Sequence, residues 1–168
     1  MPCSRISLGS LTAWRRPLSK SGLPDATADF LSATNHNFVQ EGSLLYVAGG
    51  YGWSRSAVDY VTFSHFARID VSALIHWVKH EPGSPSPSQS IQTIQAPLFQ
   101  VTGGALEKPG AHFLLVFGQN YPGRYRPNFN GTYTNKSGAS PSRPGPLSNW
   151  IPPPSPAVRR LRTTGGAI

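Results

Sequence analysis

SLLYVAGG, at residues 43–50, is a dense run of apolar and β-favouring residues that stops abruptly at two glycines. It is too short and too rich in branched and aromatic side chains to form a helix face, so it reads as a strand. The same form returns in PLFQVTGG at 97–104, where Phe99 and Val101 alternate against Gln100, and in AHFLLVFGQN at 111–120. Pro109-Gly110 is a turn signal, which predicts an antiparallel hairpin of 99–106 with 112–117. TFSHFARIDV at 62–71 is a further predicted strand. Gly49, Gly50, Gly103, Gly104 and Gly118 are read as structural, because glycine alone ends a strand with no Cβ and with positive φ open to it.

One element breaks the β pattern. Val71, Leu74, Ile75 and Val78 fall at i, i+3, i+4 and i+7, the apolar stripe of a short helix. Asp70 or Ser72 can cap its start, and Pro82-Gly83 ends it. SPSPSQSIQ at 84–92 reads as a polar loop, since Pro removes backbone donors and Ser competes with regular ladders. Residues 1–24 are basic and turn-rich without a clear period. From 136 onward the chain turns to Pro, Ser and Arg, a composition that cannot bury a core and predicts a disordered tail. The expected organisation is thus a poorly ordered segment 1–24, a β region 25–135 and a tail 136–168.

Composition narrows the function. Seventeen Gly and seventeen Pro make about a fifth of the 168 residues, while only 13% are charged, so ordered and turn-dense sequence coexist. The net charge of +8 is localised: residues 1–107 hold seven basic and seven acidic side chains, and residues 108–168 hold eight basic and none acidic. The basic residues form no dense Lys/Arg run and have no helical face to carry them, which argues against nucleic acid as the partner. Cys3 is the only cysteine, so neither an intrachain disulfide nor a multi-cysteine zinc site can form. No run approaches the length of a membrane span, and no convincing signal peptide is present.

An internal repeat is visible. Setting LYVAGGY (45–51) on LLVFGQN (114–120) places Gly49 on Gly118, an offset of 69, with an apolar strand before each and a Thr-containing segment after each. LLYVAGGYG resembles the glycine-closed core strand of a kelch repeat. The succession LSATNHNFVQEGSLLYVAGGYGWS, FQVTGGAL, FLLVFGQNYPGRY and TYTN is similar to bacterial kelch-like β-propeller proteins, over about two thirds of the chain. The resemblance implies an all-β fold with about two blades (repeat one at 25–92, repeat two at 93–135), a partial propeller with one short inserted helix. It also implies a Tyr and a Trp after the doublet; Tyr60 fits the first, whereas Trp77 falls on the helix. A glycine doublet that merely closes a hairpin in another β fold is the alternative. The family would continue with another strand after Asn135, so a truncated or frame-shifted product is a second expectation.

No catalytic constellation emerges. His76 and His80 have the i, i+4 spacing of a metal pair, but Trp77 stands where a metalloprotease needs Glu, and no third ligand is evident. Gly50 and Gly52 begin a dinucleotide fingerprint that Arg55 interrupts. Asn130-Gly131-Thr132 and Asn135-Lys136-Ser137 match the glycosylation acceptor pattern. The expectation is a non-catalytic module without metal or cofactor that binds protein or carbohydrate through Tyr51, Trp53, Tyr121, Arg124, Tyr125 and Arg126. Aromatics bring rigid area there and arginine a forked donor set. Self-association to complete a ring, a remnant without independent function, and an anionic-surface binder acting through the basic tail are the other readings.

Overall fold

The structure is a computed structural model, and it describes residues 6–8, 11–128, 131–134 and 138–141. These build mostly antiparallel β-sheet with three α-helices, an all-β architecture. A hairpin of β1 (Ile6–Leu8) and β2 (Leu11–Ala13) opens the chain. A 3-10 turn at Leu18–Lys20 and helix α1 (Asp25–Leu31) follow.

The main sheet is a four-stranded meander. It is ordered β3 (Asn37–Glu41), β4 (Leu44–Ala48), β7 (His65–Asp70), β8 (Ile91–Gln95). Two excursions leave it. Between β4 and β7 the chain makes a separate hairpin of β5 (Tyr51–Ser54) and β6 (Asp59–Thr62). Between β7 and β8 run helices α2 (Val71–Val78) and α3 (Pro87–Ser90). A second unit then repeats the plan. β9 (Ala105–Glu107) pairs with β10 (His112–Val116), β10 pairs with β13 (Gly138–Pro141), and a hairpin of β11 (Gln119–Asn120) and β12 (Thr132–Tyr133) again leaves between them.

The duplication holds down to single hydrogen bonds. Thr34 and Tyr51 bridge each other through both backbone groups, and Thr102 and Gln119 do the same 68 residues later. Gly49 and Gly50 have φ of 64° and 98°, and Phe117 and Gly118 have 60° and 98°. The Phe63 N–H donates to the Gly50 carbonyl, and the Thr134 N–H to that of Gly118. The structural offset is therefore 68, with Gly50 rather than Gly49 matching Gly118. It becomes 71 after the second hairpin, whose loop is three residues longer. Counting back from the more conspicuous glycine of the doublet put the sequence alignment one residue out.

Alternation on β4 explains how the units stack. Tyr46 and Ala48 face the second unit in a core with Phe66, Phe99, Val101, Leu106, Phe113 and Leu115. The rings interlock there, with centroids at 4.7 Å for Tyr46–Phe113 and 4.9 Å for Phe66–Phe99. Val47 faces the other way, into a core with Phe30, Phe63, Ala67, Ile69 and Ile91 that α1 closes. Phe30 is fully buried, so α1 acts as the lid of the first unit.

Gly49 shows why the doublet is glycine. A Cβ there would lie 1.8 Å from the Val101 carbonyl oxygen, so the second unit can approach only a residue without a side chain. Gly50 completes the junction by donating its N–H to that same carbonyl.

Several expectations are corrected. PLFQVTGG is not a strand: Pro97–Phe99 forms a 3-10 turn that drops Phe99 into the core, and only Thr102 makes a bridge. The predicted hairpin exists, but its first strand is Ala105–Glu107. The strand expected at 62–71 starts at His65, because Thr62 closes β6. The loop at 84–92 contains α3, held by a capping box in which Ser86 and Gln89 serve each other's backbone, and it ends in β8. Asp70 caps α2 through the Ala73 N–H at 3.0 Å. The buried side chain of that helix, however, is Trp77, with Ile75 left 46% exposed. The reason is Arg16, whose guanidinium lies 4.3 Å from the indole centroid and donates to the Trp77 carbonyl. Arg16 thus ties the N-terminal segment to α2, and Gly138–Pro141 continues the second sheet beyond Asn135. Cys3, the side chains of Asn130 and Asn135, and residues 142–168 lie outside the described residues.

Candidate functional site

The two excursion hairpins meet. Across β5 and β6, Trp53 sits directly opposite Tyr60, and Tyr51 is its diagonal neighbour. Trp53 and Tyr60 make an edge contact at 5.6 Å, and Tyr60 stacks on Tyr51 at 5.7 Å. From the second unit, Tyr121 meets Tyr51 at 5.7 Å and Tyr125 meets Tyr121 at 5.9 Å. The order Trp53, Tyr60, Tyr51, Tyr121, Tyr125 is therefore a continuous row of five rings crossing the junction between repeats.

Polar bonds hold this row in place. The Tyr51 hydroxyl donates to the Gly123 carbonyl at 2.9 Å and accepts the Tyr125 N–H at 2.7 Å. Thr62 and Tyr121 exchange backbone and hydroxyl bonds, among them the Tyr121 N–H to Thr62 Oγ1 at 2.8 Å. The Tyr121 hydroxyl donates to the Gln119 side chain, and Gly131 lies against the Tyr121 ring where a Cβ would be 2.7 Å away. On the far side, Arg55 ties the β5–β6 turn to α1. Its Nε reaches Asp29 at 2.7 Å and its Nη1 reaches Asp25 at 2.7 Å. The Asp29 hydrogen bond raises the Arg55 pKa further. The hairpin is a fixed arm, not a loose loop.

The rings divide into supports and exposed faces. Tyr51 and Tyr121 are half-buried with their hydroxyls committed inside the protein. Trp53, Tyr60 and Tyr125 are exposed by 46%, 36% and 63%, and none of their polar ends meets a protein partner among the described residues. Arg124 lies with its guanidinium carbon 6.0 Å from the Tyr60 centroid, and Asp59 lies against Gly123. Arg126 is exposed beside them in sequence. Five of the six residues expected from sequence thus come together, Arg126 makes no described contact, and Tyr51 supports rather than presents.

Sequence reasoning missed Tyr60 and Asp59 as members of this cluster. The signal was the two-residue alternation of Tyr51 and Trp53 with Tyr60 beyond a short turn, which becomes a cross-strand pair only once the register is known. The expected structural glycines all lie at the repeat junctions or turns. Gly104 and Gly118 face crowded backbone, whereas Gly103 turns in open space with φ of 67°.

Other candidates are weaker. His76 pairs with the Glu81 carboxylate, whose pKa this contact lowers, and among the described residues no three potential metal ligands come together. No helix among the described residues is long and apolar enough to cross a membrane. A small cleft between β7, β8 and the two helices is lined by Arg68, Asp70, Gln89 and Gln92, but Asp70 is engaged as the α2 cap. No protein-family model, curated protein or solved structure matches the chain.

Proposed function

We propose that the chain is a pair of kelch-type propeller blades acting as a non-catalytic carbohydrate-binding module, with the five-ring row as its binding face. Support for the blade reading comes from the duplicated meander, the stacking of one unit's face on the next, and the glycine at the junction. The observation that carries the binding reading is the division of labour within the row. Two tyrosines spend their hydroxyls on holding the loops, and three rings present face and polar edge to solvent. Sugar rings offer apolar C–H faces and hydroxyl edges, which such a surface matches. Rigid aromatics supply contact area at little entropic cost.

Intrinsic fluorescence of the full chain titrated with oligosaccharides tests this, because Trp53 lies in the row. Saturable quenching that Tyr60→Ala and Tyr125→Ala each weaken at least about tenfold, equivalent to 1.4 kcal/mol, is expected with the far-ultraviolet spectrum unchanged. Binding unaffected by both substitutions would place the ligand elsewhere.

A further inference from the structure

The charges around the row narrow its ligand, and this step rests on the carbohydrate reading above. Other cations are committed within the protein: Arg55 meets Asp25 and Asp29, Lys108 meets Glu41 at 2.8 Å, Lys79 lies 3.9 Å from Glu81, and Arg16 packs on Trp77. Arg124 and Arg126 meet no carboxylate among the described residues, although both follow directly from the loop that Tyr51 pins. Arg124 lies 6.0 Å from the Tyr60 ring centroid, where its fork remains available at the edge of the row. The one acid nearby among the described residues, Asp59, accepts the Tyr60 N–H at 2.7 Å through Oδ1 and forms no ion pair with Arg124.

We infer that the row binds an acidic polysaccharide: sugar faces lie on Trp53, Tyr60 and Tyr125, and the carboxylate or sulfate of the chain is received by Arg124 and Arg126. A guanidinium pairs with either group through two parallel N–H donors, which an ammonium cannot reproduce. A neutral glycan would leave the Arg124 guanidinium unpaired beside its binding face.

Binding of polygalacturonate, chondroitin sulfate and dextran, measured on the full chain by calorimetry at low and moderate salt, tests the inference. At least one acidic polymer should bind ten or more times tighter than dextran, and that preference should shrink as salt rises. Arg124→Gln with Arg126→Gln should remove the preference, bringing the acidic polymers down to the affinity that the same variant shows for dextran. Arg124→Lys should restore only part of it, because a point charge lacks the fork. Preference for the first polymer identifies a carboxylate and for the second a sulfate, and both uphold the inference. Equal binding of all three, insensitive to the arginine substitutions, overturns it and leaves the carbohydrate reading standing. Acid-selective binding that the arginine pair does not affect overturns the assignment of these residues. No binding to any polymer, with the fold intact by circular dichroism, sinks both.

Discussion

The two repeats carry the same hydrogen-bond plan and differ at the residue where the plan is tightest. Gly49 and Phe117 occupy equivalent positions with nearly the same left-handed φ, 64° and 60°. In the first repeat the second packs so closely that a Cβ would meet a carbonyl oxygen at 1.8 Å. In the second repeat the residue is a phenylalanine, 77% exposed. The backbone turn therefore does not need glycine; the neighbour does. A positive φ costs a bulky residue on the order of 1 kcal/mol, which a fold can tolerate, whereas overlap with a neighbouring backbone cannot be relaxed by a rotamer change.

The sharpest way to break this comparison is Gly49→Ala. The added methyl cannot coexist with the present position of Val101, so the junction must open and the shared aromatic core with it. A loss of more than about 4 kcal/mol is expected, the range reserved for core disruption, read as a fall in the urea midpoint. A cost near 1 kcal/mol would show that only the φ preference mattered and that the repeats are not tightly joined.

Acid separates the repeats next. In the first, Phe30 is packed between His65, stacked at 5.1 Å, and His36, edge-on at 5.3 Å. In the second, Gly104 stands at the position of His36. Burial lowers the pKa of both histidines; the Phe30 carbonyl bonded to His36 only partly opposes this. His65 also has a buried Nδ1 without a partner. Because the folded pKa is depressed below the unfolded value of about 6.5, the unfolded chain binds more protons in acid. The contribution is thus fully present above about pH 6.5 and lost as the pH falls through the lowered folded values. The melting temperature should drop from pH 7.5 to 5, and His36→Gln with His65→Gln should flatten that dependence. An unchanged slope in the double variant would assign the acid sensitivity to other groups.

A smaller effect belongs to the insertion that only the first repeat carries. Asp70→Ala removes the cap of α2 and should cost about 1 kcal/mol, seen as a lowered urea midpoint that Asp70→Asn largely recovers. If the alanine variant is as stable as the parent, the helix is held by Trp77 and Arg16 alone.

What the sequence disclosed follows the same division. Strands β4, β7 and β10, the Asp70 cap and the Pro109-Gly110 turn are local matters of alternation and backbone chemistry, and they were legible. The role of PLFQVTGG was not. Its residues satisfy strand propensity, yet the Val101 carbonyl is taken by Gly50 and the Phe99 ring by Phe66, both contacts across repeats. The loop at 84–92 hid a capping box because Ser and Pro signal both loops and helix starts. Of the candidate site, aromatic and arginine identities pointed to the right loops. Which ring supports and which presents depends on a hydroxyl of Tyr51 reaching residue 123, a distance in sequence that no local pattern encodes.

The smallest expected change is also the one that tests the comparison from its other end. Phe117→Gly relieves the left-handed strain and removes an exposed ring, while giving the unfolded chain more freedom to lose. Since the Phe117 ring is mostly in water, little burial is forfeited, and the sum should lie within about 1 kcal/mol of zero. Its sign matters less than its contrast with Gly49→Ala, because the two substitutions exchange the residue types of equivalent positions. A near-neutral Phe117→Gly beside a disruptive Gly49→Ala would show that the neighbouring repeat, and not the turn, selects glycine. A loss comparable to that of Gly49→Ala would mean that the Phe117 ring is buried in solution, and the second repeat would then have a packing partner of its own.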